Sequence, residues 1–173
     1  MKILLIPDSF KGSMTAEEVA LIMKNSIKKV FPASSCKVMP FSDGGEGALK
    51  VLENHSAGKI KECIAVDALF RPINTTYFLF SDQKSAWIEL SQTAGLGCLN
   101  QSELNPLITS TWGTGKMILN ALEQGCNRIF LGIGGSATHD FGSGIISALN
   151  GFLLDKNNKR LPHGGASISK LNH

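Results

Sequence analysis

Three short segments gather carboxylates, hydroxyls, an ammonium and glycines where an apolar run gives way to a helical one. They are "PDSFKGS" (7–13), "SDGGEG" (42–47) and "GIGGSATHDFGSG" (132–144). The first offers a carboxylate (Asp8), a hydroxyl (Ser9), an ammonium (Lys11) and a helix start at Ser13 to Thr15. In the second, Gly44 and Gly45 let backbone amides approach a ligand, while Asp43 and Glu46 can hold a divalent cation or accept a proton. The blander reading of that segment is a tight turn in which Asp43 caps the next helix. The third carries Gly132, Gly134, Gly135, Gly142 and Gly144, the hydroxyls of Ser136 and Thr138, and Asp140 as a metal ligand or base. Such a loop ahead of a helix N-terminus suits a phosphate or carboxylate. Alternatively, its glycines let it pack directly on another backbone.

These segments need elements to hold them. "KILLI" (2–6) is a continuous apolar run closed by Pro7, which predicts a strand buried on both faces. Thr15 and Glu18 form a capping box, and Val19, Ile22, Met23, Ile27 and Val30 share one helical face up to Pro32. "CKVMPF" (36–41) and "KIKECIAV" (59–66) read as strands around a short helix that ends at Gly58. "INTTYFLF" and "SAWIEL", joined by "SDQK", read as an antiparallel hairpin. Then follow a helix capped by Gly125, a buried strand "RIFLGI" (128–133), a helix in "SGIISALNG" and a strand "FLLD". Alternating β and α elements predict a three-layer α/β architecture with a largely parallel sheet. The hairpin suggests a first α/β lobe at 1–72 and a second at 73–173. In open α/β sheets ligands bind beyond the carboxyl ends of the strands, where all three segments lie.

Composition narrows the classes. Of 173 residues, 43% are hydrophobic and 18% charged, which predicts a folded globular chain rather than a disordered one. A net charge of +3 with scattered lysines lacks the basic stripe of a nucleic-acid groove. No apolar run approaches membrane-spanning length, and "MKILLIPDSF" turns polar too early for a signal peptide, so a cytoplasmic protein is expected. Cys36, Cys63, Cys98 and Cys126 show neither CxxC nor disulfide spacing and read as buried or incidental thiols. His55, His163 and His173 have no metal-ligand spacing; His139 sits in the third segment and can touch a ligand there.

Two nucleotide motifs are imitated. In "TSTWGTGKM", Ser110 stands where a P-loop needs its first glycine and Met117 where it needs Ser or Thr, so that reading fails. Gly132, Gly134 and Ala137 fit a dinucleotide fingerprint after a strand, with Asp155 at about the expected distance. A nicotinamide-dependent oxidoreductase is therefore an alternative, although it leaves Asp8, Lys11, Asp43 and Glu46 without a task.

The three segments, in this order, resemble the signatures of the bacterial glycerate kinases: "PDSFKGSMTAEEVA", "DGGEG" and "GIGGSATHD", with looser matches in "IELSQTAGL" (88–96) and "TWGTGKMI" (111–118). The resemblance runs from Met1 to about Leu171. It implies a two-lobed α/β fold with a cleft, ATP and Mg²⁺ as cofactors, and phosphorylation of D-glycerate to a phosphoglycerate. Carried onto this chain, it implies that Asp8, Ser9, Lys11, Asp43, Gly44, Gly45, Glu46, Gly134, Gly135, Ser136, Thr138 and Asp140 line that cleft. Chemistry then suggests Asp8 and Lys11 as catalytic groups and Asp43, Glu46 and Asp140 as metal ligands. Ser9, Gly44, Gly45, Gly134, Gly135, Ser136 and Thr138 would bind substrate or phosphate. His139 and Phe141 depart from the family's usual Asn and small residue. Family members run to about twice this length, so this chain corresponds to an N-terminal half. The C-terminal half that would complete the first lobe is absent, an inactive truncated kinase is one expectation, and association through the surface left bare is another. A third reading is a non-catalytic remnant that binds a small anion or a partner half-protein.

Overall fold

The first βαβ unit follows the expected order. In the computed structural model, which describes residues 1–10, 12–45 and 47–172, strands β1 (Lys2–Leu5) and β2 (Ser35–Val38) run parallel as a two-stranded sheet. Helix α1 (Ala16–Val30) joins them. It starts on the predicted capping box: Glu18 N–H donates to Thr15 Oγ1 at 3.2 Å, and Thr15 N–H donates to the Glu18 carboxylate at 2.7 Å. Pro32 cannot continue the helix. Only Ala16, Val19 and Ala20 of α1 are buried, whereas Ile22, Met23 and Val30 of the predicted apolar face lie exposed. The expectation that 2–6 is buried on both faces is likewise corrected. Leu5 is buried, but Leu4 and Ile6, on the opposite face, are more than half exposed.

Helix α2 (Ala48–His55) leads into the larger sheet, formed by β3 (Gly58–Val66), β4 (Pro72–Phe80), β5 (Ser85–Glu89) and β6 (Arg128–Gly132) in that order. β3 pairs antiparallel with β4 along its whole length. The predicted hairpin forms through Phe78↔Trp87 and Leu79↔Ala86, and β6 lies parallel to β5. The fold is α/β with parallel pairs, but this sheet is mixed rather than largely parallel, because β4 is antiparallel to both neighbours. β3 also belongs to this second sheet, so sheet membership changes between α2 and β3.

Helices α3 (Ser91–Ala94), α4 (Trp112–Glu123) and α5 (Ser143–Ala148) complete the order. The period of two sorts the strands: Tyr77, Leu79, Ala86 and Ile88 meet Met117, Ile118 and Ala121 of α4 in the main core. Each fully buried Leu, Ile or Met side chain contributes about 1.5–3 kcal/mol. The alternate residues Phe78, Trp87 and Glu89 turn to the other face, where α2 packs on β3, β4 and β5. That gives the three layers. The expected strand "FLLD" shrinks to a single bridge between Leu154 and Arg160. Gly125 takes φ +93° after α4, as its capping role requires. Among the described residues no helix is long and apolar enough to cross a membrane.

Candidate functional site

The loops after β1, β2 and β6 meet at the carboxyl ends of their strands. Asp8 ties the first to the second, since its carboxylate accepts Ser9 N–H at 2.6 Å and Asp43 N–H at 3.2 Å. Asp43 in turn accepts Gly45 N–H at 2.9 Å, which folds the second loop into a tight turn. Lys11 and Glu46 lie outside the described residues.

The second and third loops touch backbone to backbone. A Cβ on Gly134 would lie 2.5 Å from Gly45 Cα, and one on Gly132 would strike the Gly44 carbonyl and the Trp87 ring. At these two positions glycine is explained by loop packing, the blander of the two readings, and Gly45 fills the space in which a ligand would approach Gly134. The dinucleotide reading therefore loses its central feature. Asp155 also sits in a turn, accepting Asn157 and Lys159 N–H, rather than at a strand end.

The remainder of the third loop is threaded along residues 94–96. Ala137 N–H donates to Ala94 O at 2.7 Å, and Leu96 N–H donates to Gly135 O at 2.9 Å. Ser136 and Thr138 share a hydroxyl hydrogen bond of 2.8 Å, and Thr138 is buried. Asp140, 1% exposed, accepts Thr111 N–H (2.9 Å), the hydroxyls of Thr111 (3.0 Å) and Ser110 (3.4 Å), and Gly142 and Gly144 N–H (3.1 and 3.2 Å). Its two oxygens are occupied in binding the start of α4 to the third loop. Among the described residues no group of three His, Cys, Asp or Glu side chains could hold a metal ion.

Two adjoining clefts open over these loops. One, of about 320 Å³, is lined by Asp8, Ser9, Phe10, Thr15 and Phe41 among others. The other, of about 690 Å³, reaches Glu89, Ser91, Gln92, Leu96 and Gly135. Gly12, Gly47 and Lys50 border both, so the three loops share one continuous opening. Lys50 and Glu89 are absent from the sequence-level candidates. Lys50 is exposed and pairs with Glu53 at 2.9 Å; the hydrogen bond and charge of Glu53 raise its ammonium above the usual lysine range. Glu89 is buried and accepts Leu49 N–H in the first turn of α2. Nothing local in sequence signals that partnership across forty residues. His55, His139 and His163 are exposed, as is Phe141.

Residues 3–173 match the model of the glycerate kinase family. The chain belongs to the glycerate kinase family. It is 40% identical to a glycerate kinase of Bacillus subtilis (strain 168) over 171 residues, covering 99% of this chain and 45% of that protein. The glycerate 2-kinase of Escherichia coli (strain K12) is 37% identical, with 99% of this chain and 45% of that protein covered. Among solved structures, a candidate glycerate kinase 2 of Salmonella typhimurium LT2 superposes with a TM-score of 0.76 at 36% identity, over 99% of this chain and 46% of that one. The chain thus spans about half the length of these relatives, and corresponds to an N-terminal half.

Proposed function

We propose that the shared cleft is the N-terminal half of a site for ATP-dependent phosphorylation of D-glycerate. One observation carries this reading: the Asp8–Asp43 hydrogen bond joins two acid-bearing loops at the rim of a cleft that the glycine-rich third loop also borders at Gly135. Phosphoryl transfer asks for positioning and neutralised charge more than for covalent catalysis. Asp8 orients the glycerate hydroxyl and takes its proton as the new O–P bond forms; the bond between the γ-phosphorus and the bridging oxygen breaks, and ADP leaves. Ser9 borders substrate, Gly44 and Gly45, whose amides are turned to Ser42 and Asp43, shape the loop beside it, and Gly135, Ser136 and Thr138 serve as the third loop's phosphate or carboxylate contacts. Lys11 is assigned the positive charge, and Lys50 is a cation that borders the opening.

The oxygen donors here suit a hard cation such as Mg²⁺, which supplies charge neutralisation at the transferring phosphates when bound. Asp43, with Glu46, would hold it. Asp140 has the right side chain for a ligand, but its five hydrogen bonds fit it better to shaping the loop. A cytoplasmic location accompanies this reading.

The test is D-glycerate-dependent release of ADP from MgATP by this chain, compared with Asp8→Asn. Turnover that falls by at least about a hundredfold in the variant is expected for a positioned base. Near-normal turnover in the variant removes Asp8 from the catalytic groups. No D-glycerate dependence in the parent overturns the reading for the chain on its own.

A further inference from the structure

A further cavity, of about 220 Å³, has no lining residue in common with the shared opening. It is lined by Trp112 at the start of α4, by Ser147 near the end of α5, and by residues of the segment 150–163. Its walls are aromatic and its charge is positive. The Arg160 guanidinium lies 4.0 Å from the centroid of the Phe152 ring. Trp112 and His163 both stand against Phe70, with ring centroids 5.9 and 5.0 Å apart, and the Lys116 ammonium lies 5.4 Å from the centre of the Trp112 ring. Phe70 backs this wall at φ +66°, a costly conformation for a bulky residue and one that marks functional sites more often than bare scaffolds.

No Asp or Glu lines the cavity, and Arg160 has no ion-pair partner among the described residues. A guanidinium stacked on a ring has its face covered, while its N–H edge stays open to a carboxylate or phosphate. The Ser147 hydroxyl and the Asn150 amide also line the cavity, and neither side chain has a hydrogen-bond partner among the described residues. Unused donors, a cation without a counter-charge and flat apolar walls thus converge on one small space.

We propose that this cavity is a second ligand site, for a small organic anion that carries a carboxylate or phosphate on a flat apolar body. The anionic group takes the edge of Arg160, with Ser147 and Asn150 as further donors, and the body lies against the aromatic wall. The volume falls below the roughly 300–1,000 Å³ of sites for drug-sized ligands, so the occupant is small and a nucleoside triphosphate does not fit. The site stands whether or not the shared opening transfers phosphate.

The experiment titrates the ¹⁵N-labelled chain with phenyl phosphate and with benzoate, using phenol and inorganic phosphate as controls, and follows the amide signals by NMR. Shifts should gather at 112, 147, 150–153 and 160–163, and the tighter of the two probes identifies the anionic group. Phenol lacks the charge and inorganic phosphate the flat body, so each should bind at least about tenfold more weakly than that probe. Arg160 is exposed, so its variants keep the fold. Arg160→Gln should weaken binding by at least about tenfold, and Arg160→Lys, which keeps the charge but not the forked edge, by less. Absence of shifts, shifts confined to 8–13, 42–47 and 132–138 at the shared opening, a control that binds as tightly as the probes, or undiminished binding by Arg160→Gln would each overturn the proposal.

Discussion

Asp140 and Gly134 show how single residues set the third loop. Asp140 has both oxygens filled by backbone and hydroxyl donors from two segments some thirty residues apart. In Asp140→Asn one oxygen becomes an NH₂ that faces N–H donors, so buried donors lose their acceptor. The expected cost is about 2–3 kcal/mol, read as a lower midpoint in urea unfolding followed by circular dichroism. Gly134→Ala places a methyl 2.5 Å from Gly45 Cα, and neither backbone can yield without moving its loop. A loss of about 1–3 kcal/mol is expected, together with faster hydrogen exchange in both 42–47 and 132–138. Retention of parental exchange in 42–47 would show that the two loops are not coupled.

At the scale of elements, the turn between β3 and β4 is held by charge. Burial alone would raise the Asp67 carboxyl, but hydrogen bonds from the Arg71 amide and guanidinium and from Leu69 N–H outweigh it and hold it below the usual carboxylate range. Arg71 also forks onto Glu103, 2.6 Å at the closer contact, and lowers that carboxyl as well. A depressed carboxyl stabilises the fold above its unfolded value, and that stability is lost as pH falls through the folded value. Arg71→Leu should therefore lower stability at pH 7, only modestly since the guanidinium is half exposed, and the gap from the parent should shrink as pH drops toward 3. A gap that stays constant across that range would exclude the ion pairs as its source. The capping box of α1 gives a second case: Thr15→Ala removes the acceptor of Glu18 N–H at a cost of about 1 kcal/mol. That cost should fall if α1 already frays, which hydrogen exchange along Ala16–Val30 measures directly.

For the molecule as a whole, the four thiols report which surfaces are closed. Burial raises the Cys63 and Cys126 thiols, which belong to the main core, whereas Cys36 and Cys98 are only part-buried. A thiol reagent in native buffer should modify Cys36 and Cys98 first, and Cys63 and Cys126 only on unfolding. Four equally fast thiols would mean that the α4 layer does not close over the larger sheet. Tyr77, in the same core, is pushed up to about 12 by burial and donates to Asn120 at 3.1 Å. Its contribution is accordingly complete below pH 10 and is lost as pH rises toward 12. Against this closed layer stands the bare β1–β2–α1 unit, where the chain's two halves differ most.

Sequence by itself determined most of the strands and helices up to α5, the capping of α1, the hairpin, the Gly125 stop and the three loops that carry the candidate site, because each rests on periodicity, caps or turn chemistry within a dozen residues. It missed α3, however, and overread "FLLD" as a strand. It also carried the family, through motifs written contiguously. Tertiary structure alone decided that β3 joins the second sheet, since strand partners are chosen by long-range pairing that no local pattern encodes. It decided that Gly132 and Gly134 serve a contact between loops, and that Asp140 spends its oxygens on Thr111 and Gly144, because a glycine or carboxylate reads alike in sequence whether a ligand or a backbone fills its space. It also decided which apolar stripe is covered. The run 2–6 and the face of α1 state a demand for burial, and only the packed chain shows that demand unmet, because burial belongs to what surrounds a residue rather than to the residue.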